Sequence, residues 1–162
     1  MKKIDIYKFV VGYEKLNNLE GFDFIISTAQ NYNLFKDEMD SYTQARTSNL
    51  EYKNYKDESQ KIISLSSEKD EFGNPLIVTG DDGAQSYRIE KDKMDDTINE
   101  LNNLSEKYQT AIKKQEALES QFYSALEENA DKNFIKIKKA SLPGNISQEQ
   151  VQLISWMIDW EI

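Results

Sequence analysis

Of the side chains that do chemistry near neutral pH, this 162-residue chain keeps carboxylates, lysines and tyrosines, and it has neither histidine nor cysteine. Histidine is the usual general base and metal ligand at that pH, and cysteine the readiest nucleophile. Thiol chemistry, serine–histidine relays and zinc sites are therefore closed. The lack of cysteine also rules out a disulfide framework and fits a reducing cytoplasm or a virion. The chain has 29 acidic residues, and paired carboxylates of the glycosidase kind arise in any sequence so rich in them. No pocket signature marks any of them. Gly80-Asp81-Asp82-Gly83 superficially suggests a calcium loop, but it lacks the spaced oxygens and the closing glutamate, so it reads as a turn. No catalytic residue, metal ligand or cofactor is assigned, and the expectation is a binding protein rather than an enzyme.

Two groups of residues stand out as candidate contact surfaces. Asp92, Asp95, Asp96 and Glu100 cluster where a long helix begins, where negative charge is favoured by the helix dipole. A sharper reading of the same carboxylates is mimicry of nucleic-acid phosphates. The second group is the C-terminal run from Val151, with Trp156, Met157 and Trp160, in which Gln152, Ser155 and Asp159 form a narrow polar stripe. A helix apolar around most of its circumference must be covered on most sides. Either it packs between the first helix and the base of a hairpin, or one tryptophan-bearing side meets another subunit, where Trp and Met are enriched.

The elements that position these groups follow from apolar spacing. Ile6, Phe9, Val10, Tyr13, Leu16 and Leu19 describe a first helix within residues 1–21, ended by Gly21. Ile25, Ala29, Tyr32, Phe35, Met39 and Tyr42 open a long helix over 22–68, whose apolar pattern thins between 46 and 60. Residues 72–90 read as a β-hairpin, with Phe72-Gly73-Asn74-Pro75 and Gly80-Asp81-Asp82-Gly83 as turn signals. The cleanest register, Met94, Ile98, Leu101, Leu104, Tyr108, Ile112, Leu118, Phe122 and Leu126, predicts a second long helix over 92–128, interrupted only by Gln115. So narrow a stripe must lie along another helix, and the 22–68 segment is the partner of comparable length. Residues 133–138 alternate as a short strand, and Lys3-Ile4-Asp5-Ile6, which also begins the first helix, is a candidate to pair with it. Ser147-Gln148-Glu149-Gln150 then matches a capping box, with Ile146 and Val151 as a staple, opening a last helix over 147–160.

The expected fold is therefore mainly α: one elongated domain over 1–162, with an antiparallel, coiled-coil-like pair of long helices, a small β-hairpin at the tip and short terminal helices at the base. A formal charge of −9 disfavours direct nucleic-acid binding and docking on anionic lipid. Lys132, Lys136, Lys138 and Lys139 form a basic run, read as balancing the adjacent acidic helix end. No apolar run reaches the ~20 residues of a membrane span, and the N-terminus lacks the apolar core of a signal peptide. The order of Lys69-Asp70-Glu71-Phe72-Gly73-Asn74-Pro75, Tyr87-Arg88-Ile89 and Leu142-Pro143-Gly144-Asn145-Ile146-Ser147 resembles small uncharacterised helical proteins of tailed bacteriophages. Those proteins carry a Lys-Asp-Glu-x-Gly-Asn-Pro turn, a Tyr-x-Ile strand and a Leu-Pro-x-x-Ile-Ser segment before the last helix. The resemblance implies a viral origin, with a place in the virion or the host cytoplasm. The expected role is a structural or assembly protein contacting other virion subunits, with homo-oligomerisation open. The alternative is an inhibitor that binds a host defence enzyme through its acidic helices.

Overall fold

The computed structural model describes residues 1–80 and 83–160. Asp81 and Asp82 of the expected hairpin turn, and Glu161 and Ile162 at the end, lie outside the described residues. Among the described residues the chain is mainly helical, with two small two-stranded sheets. It divides into two compact units, Met1–Thr47 with Leu118–Ile162, and Ser48–Ala117.

In the first unit, α1 (Lys3–Gly12) and a 3-10 turn (Tyr13–Leu16) lead to α2 (Phe22–Arg46). Gly21 takes φ +118°, a conformation that admits little besides glycine, and the change of direction it allows starts α2. Gly12 marks a close approach, since a Cβ there would stand 3.0 Å from two methyl carbons of Leu153. The partner segment of α2 in this unit is the end of α5 (Gln109–Glu127). Phe35 and Met39 meet Phe122, Leu126 and the α1 residue Ile6 in one apolar cluster. Arg46 closes the same pairing, its Nε donating to Glu119 at 2.9 Å while its guanidinium lies 4.8 Å from the Phe122 ring centre. A second cluster gathers Phe9, Leu16, Leu19, Phe24, Ile137, Ile154, Met157 and Ile158.

The expected last helix over 147–160 is shorter than its apolar content predicts. Ser147 and Gln150 form the capping box, with Gln150 N donating to Ser147 Oγ at 3.2 Å and Ser147 N donating to Gln150 Oε1 at 2.9 Å. α6 spans only Gln148–Ile154. The chain then tightens into a 3-10 turn at Ser155–Met157 and extends as β4 (Ile158–Asp159), which pairs in parallel with β3 (Ile137–Lys138). Extension buries Ile158 beside Ile137 and satisfies the backbone of β3, which a continuing helix would leave unpaired. The candidate pairing of Lys3-Ile4-Asp5-Ile6 with the 133–138 segment is corrected at the same point, because those residues are helical in α1. Lys2, just before them, bridges to Asn129 instead.

In the second unit, α3 (Leu50–Ser66) packs on α4 (Met94–Lys107). The Tyr55 hydroxyl lies 3.2 Å from Ser105 Oγ, and Tyr108 donates to Glu58 at 2.7 Å. Each expected long helix is thus two helices. The 22–68 segment breaks at Thr47–Asn49, where the buried Asn49 caps α3 by accepting from Tyr52 N at 3.2 Å and donates to Ala111 O at 2.8 Å. The 92–128 segment breaks at Tyr108, between α4 and α5. The expected seam therefore divides. Phe35 and Met39 do meet Phe122, but Leu104 belongs to the α3–α4 unit, and Ile25 is exposed. The hairpin consists of β1 (Ile77–Thr79) and β2 (Gln85–Tyr87), antiparallel, with Ile77 opposite Tyr87.

Candidate interaction surfaces

The two tryptophans sit in different environments, although the sequence places them four apart. Trp156 is half-buried and touches three aromatic rings edge-on: Phe9 at 5.8 Å, Phe35 at 6.0 Å and Phe134 at 5.1 Å between centroids. It packs against both apolar clusters of its unit, and its Nε1 donates to Leu153 O at 3.2 Å. Trp160 is 51% exposed, with Nε1 donating to Ser155 O at 3.3 Å. The premise that both share one helix face is corrected, because β4 intervenes between them. Met157, also a candidate contact residue, is fully buried, with Asn31 Nδ2 2.9 Å from its sulfur. Of the three, Trp160 is the one available to a partner.

All four candidate acids, Asp92, Asp95, Asp96 and Glu100, are exposed around the start of α4. Met94 and Ile98, the first two members of the expected seam, stand among them in solvent at 42% and 49% exposure. The basic run differs. Lys132 pairs with Glu38 at 2.7 Å, Lys136 lies 3.8 Å from Asp159, and Lys138 and Lys139 are exposed. Its partners are thus on α2 and β4, not at the acidic end of α5 as expected. That end is taken by the N-terminus instead: Lys2 pairs with Glu127, and Lys3 donates to Glu128 at 2.8 Å and to the Tyr42 hydroxyl at 3.1 Å. These hydrogen bonds, led by that to Glu128, hold the Lys3 ammonium well above its ordinary pKa.

The 69–75 turn was legible only as a turn, and in the structure it carries an exposed aromatic ring. Asp70 accepts from Phe72 N at 2.9 Å, Asn74 N at 2.8 Å and Asn74 Nδ2 at 3.2 Å. These bonds, Asn74 N–H foremost, lower the Asp70 pKa from its ordinary value. Gly73, at φ +83°, completes the bend. The turn is anchored by a ring of three backbone bonds, Glu68 N to Arg88 O at 2.8 Å, Arg88 N to Leu76 O at 3.0 Å and Leu76 N to Glu68 O at 2.8 Å. At its crown Phe72 is 81% exposed. An aromatic inside a Gly-Asn-Pro turn is the signal that marks this residue.

Among the described residues no group of three or more acids is placed to hold a metal ion, and no helix is long and apolar enough to cross a membrane. Compared with protein-family models, curated proteins and solved structures, the chain matches none.

Proposed function

We propose that this chain is a non-enzymatic structural or assembly protein of a tailed bacteriophage, acting by protein–protein contact within the virion. The observation that supports the reading is the exposure of large apolar side chains, with Phe72 at 81%, Phe22 at 78% and Trp160 at 51%. Aromatic side chains of this kind are the usual energetic anchors of interfaces. The resemblance of the turn and cap motifs to those of tailed-phage proteins supplies the setting. Mass spectrometry of purified virions tests it: the chain is expected at a fixed stoichiometry, and its presence in infected cells but absence from virions would overturn the role.

The exposed carboxylates of α4 favour a second reading, an inhibitor that occupies the basic surface of a host defence enzyme. Binding of that kind weakens with salt, because exposed charges are screened over ~8 Å at physiological ionic strength. Affinity capture from infected cells, repeated with Asp92, Asp95, Asp96 and Glu100 all changed to Lys, should lose the host protein. Capture undiminished by the four substitutions removes this reading.

A further inference from the structure

In the first unit, the start of α2 and the segment 136–143 border two adjoining open recesses, of about 230 and 380 Å³, that share Asp23 and Ser141 and together form a shallow groove. Its apolar surface comes from Phe22 and Ile26 on α2 and from Leu142 and Pro143 opposite. Either recess is larger than a phenyl ring. The groove is polarised across its width, with Glu20 and Asp23 on the α2 side and Lys136 and Lys138 on the β3 side. In the second unit, the 69–75 turn carries the exposed Phe72 ring with the exposed Glu71 beside it, while the Lys69 ammonium is held by Ser64 O and Ser67 Oγ. The carboxylate of Asp70 is occupied within the turn.

We propose that Phe72 of one copy docks in the α2 groove of a second copy of this chain. Glu71 then faces Lys136 and Lys138. Pairing two Phe72 turns about a two-fold axis is disfavoured, since it sets Glu71 against Glu71. A knob in a hole made of different residues is a heterologous contact, and repetition of it builds a ring or an open filament. This inference extends the assembly role by naming one partner, and it rests on that reading for its biological setting.

Sedimentation velocity of the full chain tests it. The parent should associate with increasing concentration. Phe72→Ser and, separately, Ile26→Glu should each weaken association roughly thirtyfold or more, with thermal melts close to the parent's because both positions face solvent. Lys138→Glu, at an exposed position, checks the groove side without touching its apolar wall. An equimolar mixture of Phe72→Ser and Ile26→Glu retains one intact knob and one intact hole, so it should form a 1:1 dimer and nothing larger. A parent that stays monomeric to about millimolar concentration, a Phe72→Ser chain that associates like the parent, or a mixture that fails to dimerise overturns the proposal. A chain present in virions yet monomeric refutes this contact and leaves the assembly role standing, whereas self-association without virion occurrence does the reverse.

Discussion

Asn31 presents its carboxamide to Ile135 as a neighbouring strand would, accepting from the Ile135 N–H and donating to its C=O, both at 2.8 Å. The side chain is fully buried, so its loss strands backbone groups that would otherwise have bonded water. Asn31→Leu should cost about 2–4 kcal/mol, the penalty of two unpaired polar groups, as read from urea denaturation. Asp70 acts on the same scale at the surface. Its folded-state pKa lies below the ordinary 3.8, so the stability it contributes is present above that value and is lost as pH falls through the folded pKa. Amide exchange at Phe72 and Asn74 should therefore quicken below about pH 4, while the α-helices keep their protection. Exchange at these two amides independent of pH-linked opening would show that the carboxylate does not hold the turn.

At the scale of elements, amphipathic spacing finds helices well and their ends less well. Leu104 is buried in the unit that holds α3 and α4, and Leu104→Asp should cost about 3 kcal/mol or more by burying an unpaired charge. A thermal melt that matches the parent's would show that α3 does not cover that face. The hairpin is more fragile, with three paired positions and mostly exposed strands. Gly83 has φ +79° with open space around its Cα, so Gly83→Val is opposed by backbone conformation and not by a clash. It should loosen β1 and β2 in amide exchange and leave the helical circular dichroism unchanged.

Across the whole molecule, the strongest contrast is between Trp156 and Trp160. Trp156 joins the two apolar clusters of the first unit, so Trp156→Ala should cost about 3–5 kcal/mol. Trp160→Ala, at an exposed site, should fall within about 0.5 kcal/mol of the parent. Quenching of single-tryptophan variants by acrylamide checks the placement, with Trp160 expected to be much the more accessible. Equal shielding of the two indoles would contradict it. The formal charge of −9 is unevenly carried, and its basic part serves both as internal ion pairs at Lys132 and Lys136 and as one wall of the α2 groove.

The features that the sequence by itself determined are those written in local patterns. Three- and four-residue spacing specified mainly helical structure, Ser147 and Gln150 specified the start of α6, and Gly83 marked the hairpin turn, because each depends on residues a few positions apart. The breaks at Asn49 and Tyr108 left little trace, since Asn49 is fixed by Ala111, far along the chain. Only tertiary structure decided that the last helix ends at Ile154. Its apolar periodicity continues beyond that point, but the unpaired backbone of β3 draws Ile158 into a strand. The same kind of decision buried Met157, left Trp160 in solvent, and gathered Phe22, Ile26 and Lys138 around one groove. Burial and proximity are properties of the partners that each side chain meets, and those partners lie far along the chain, as with Asn31 and Met157, 126 positions apart.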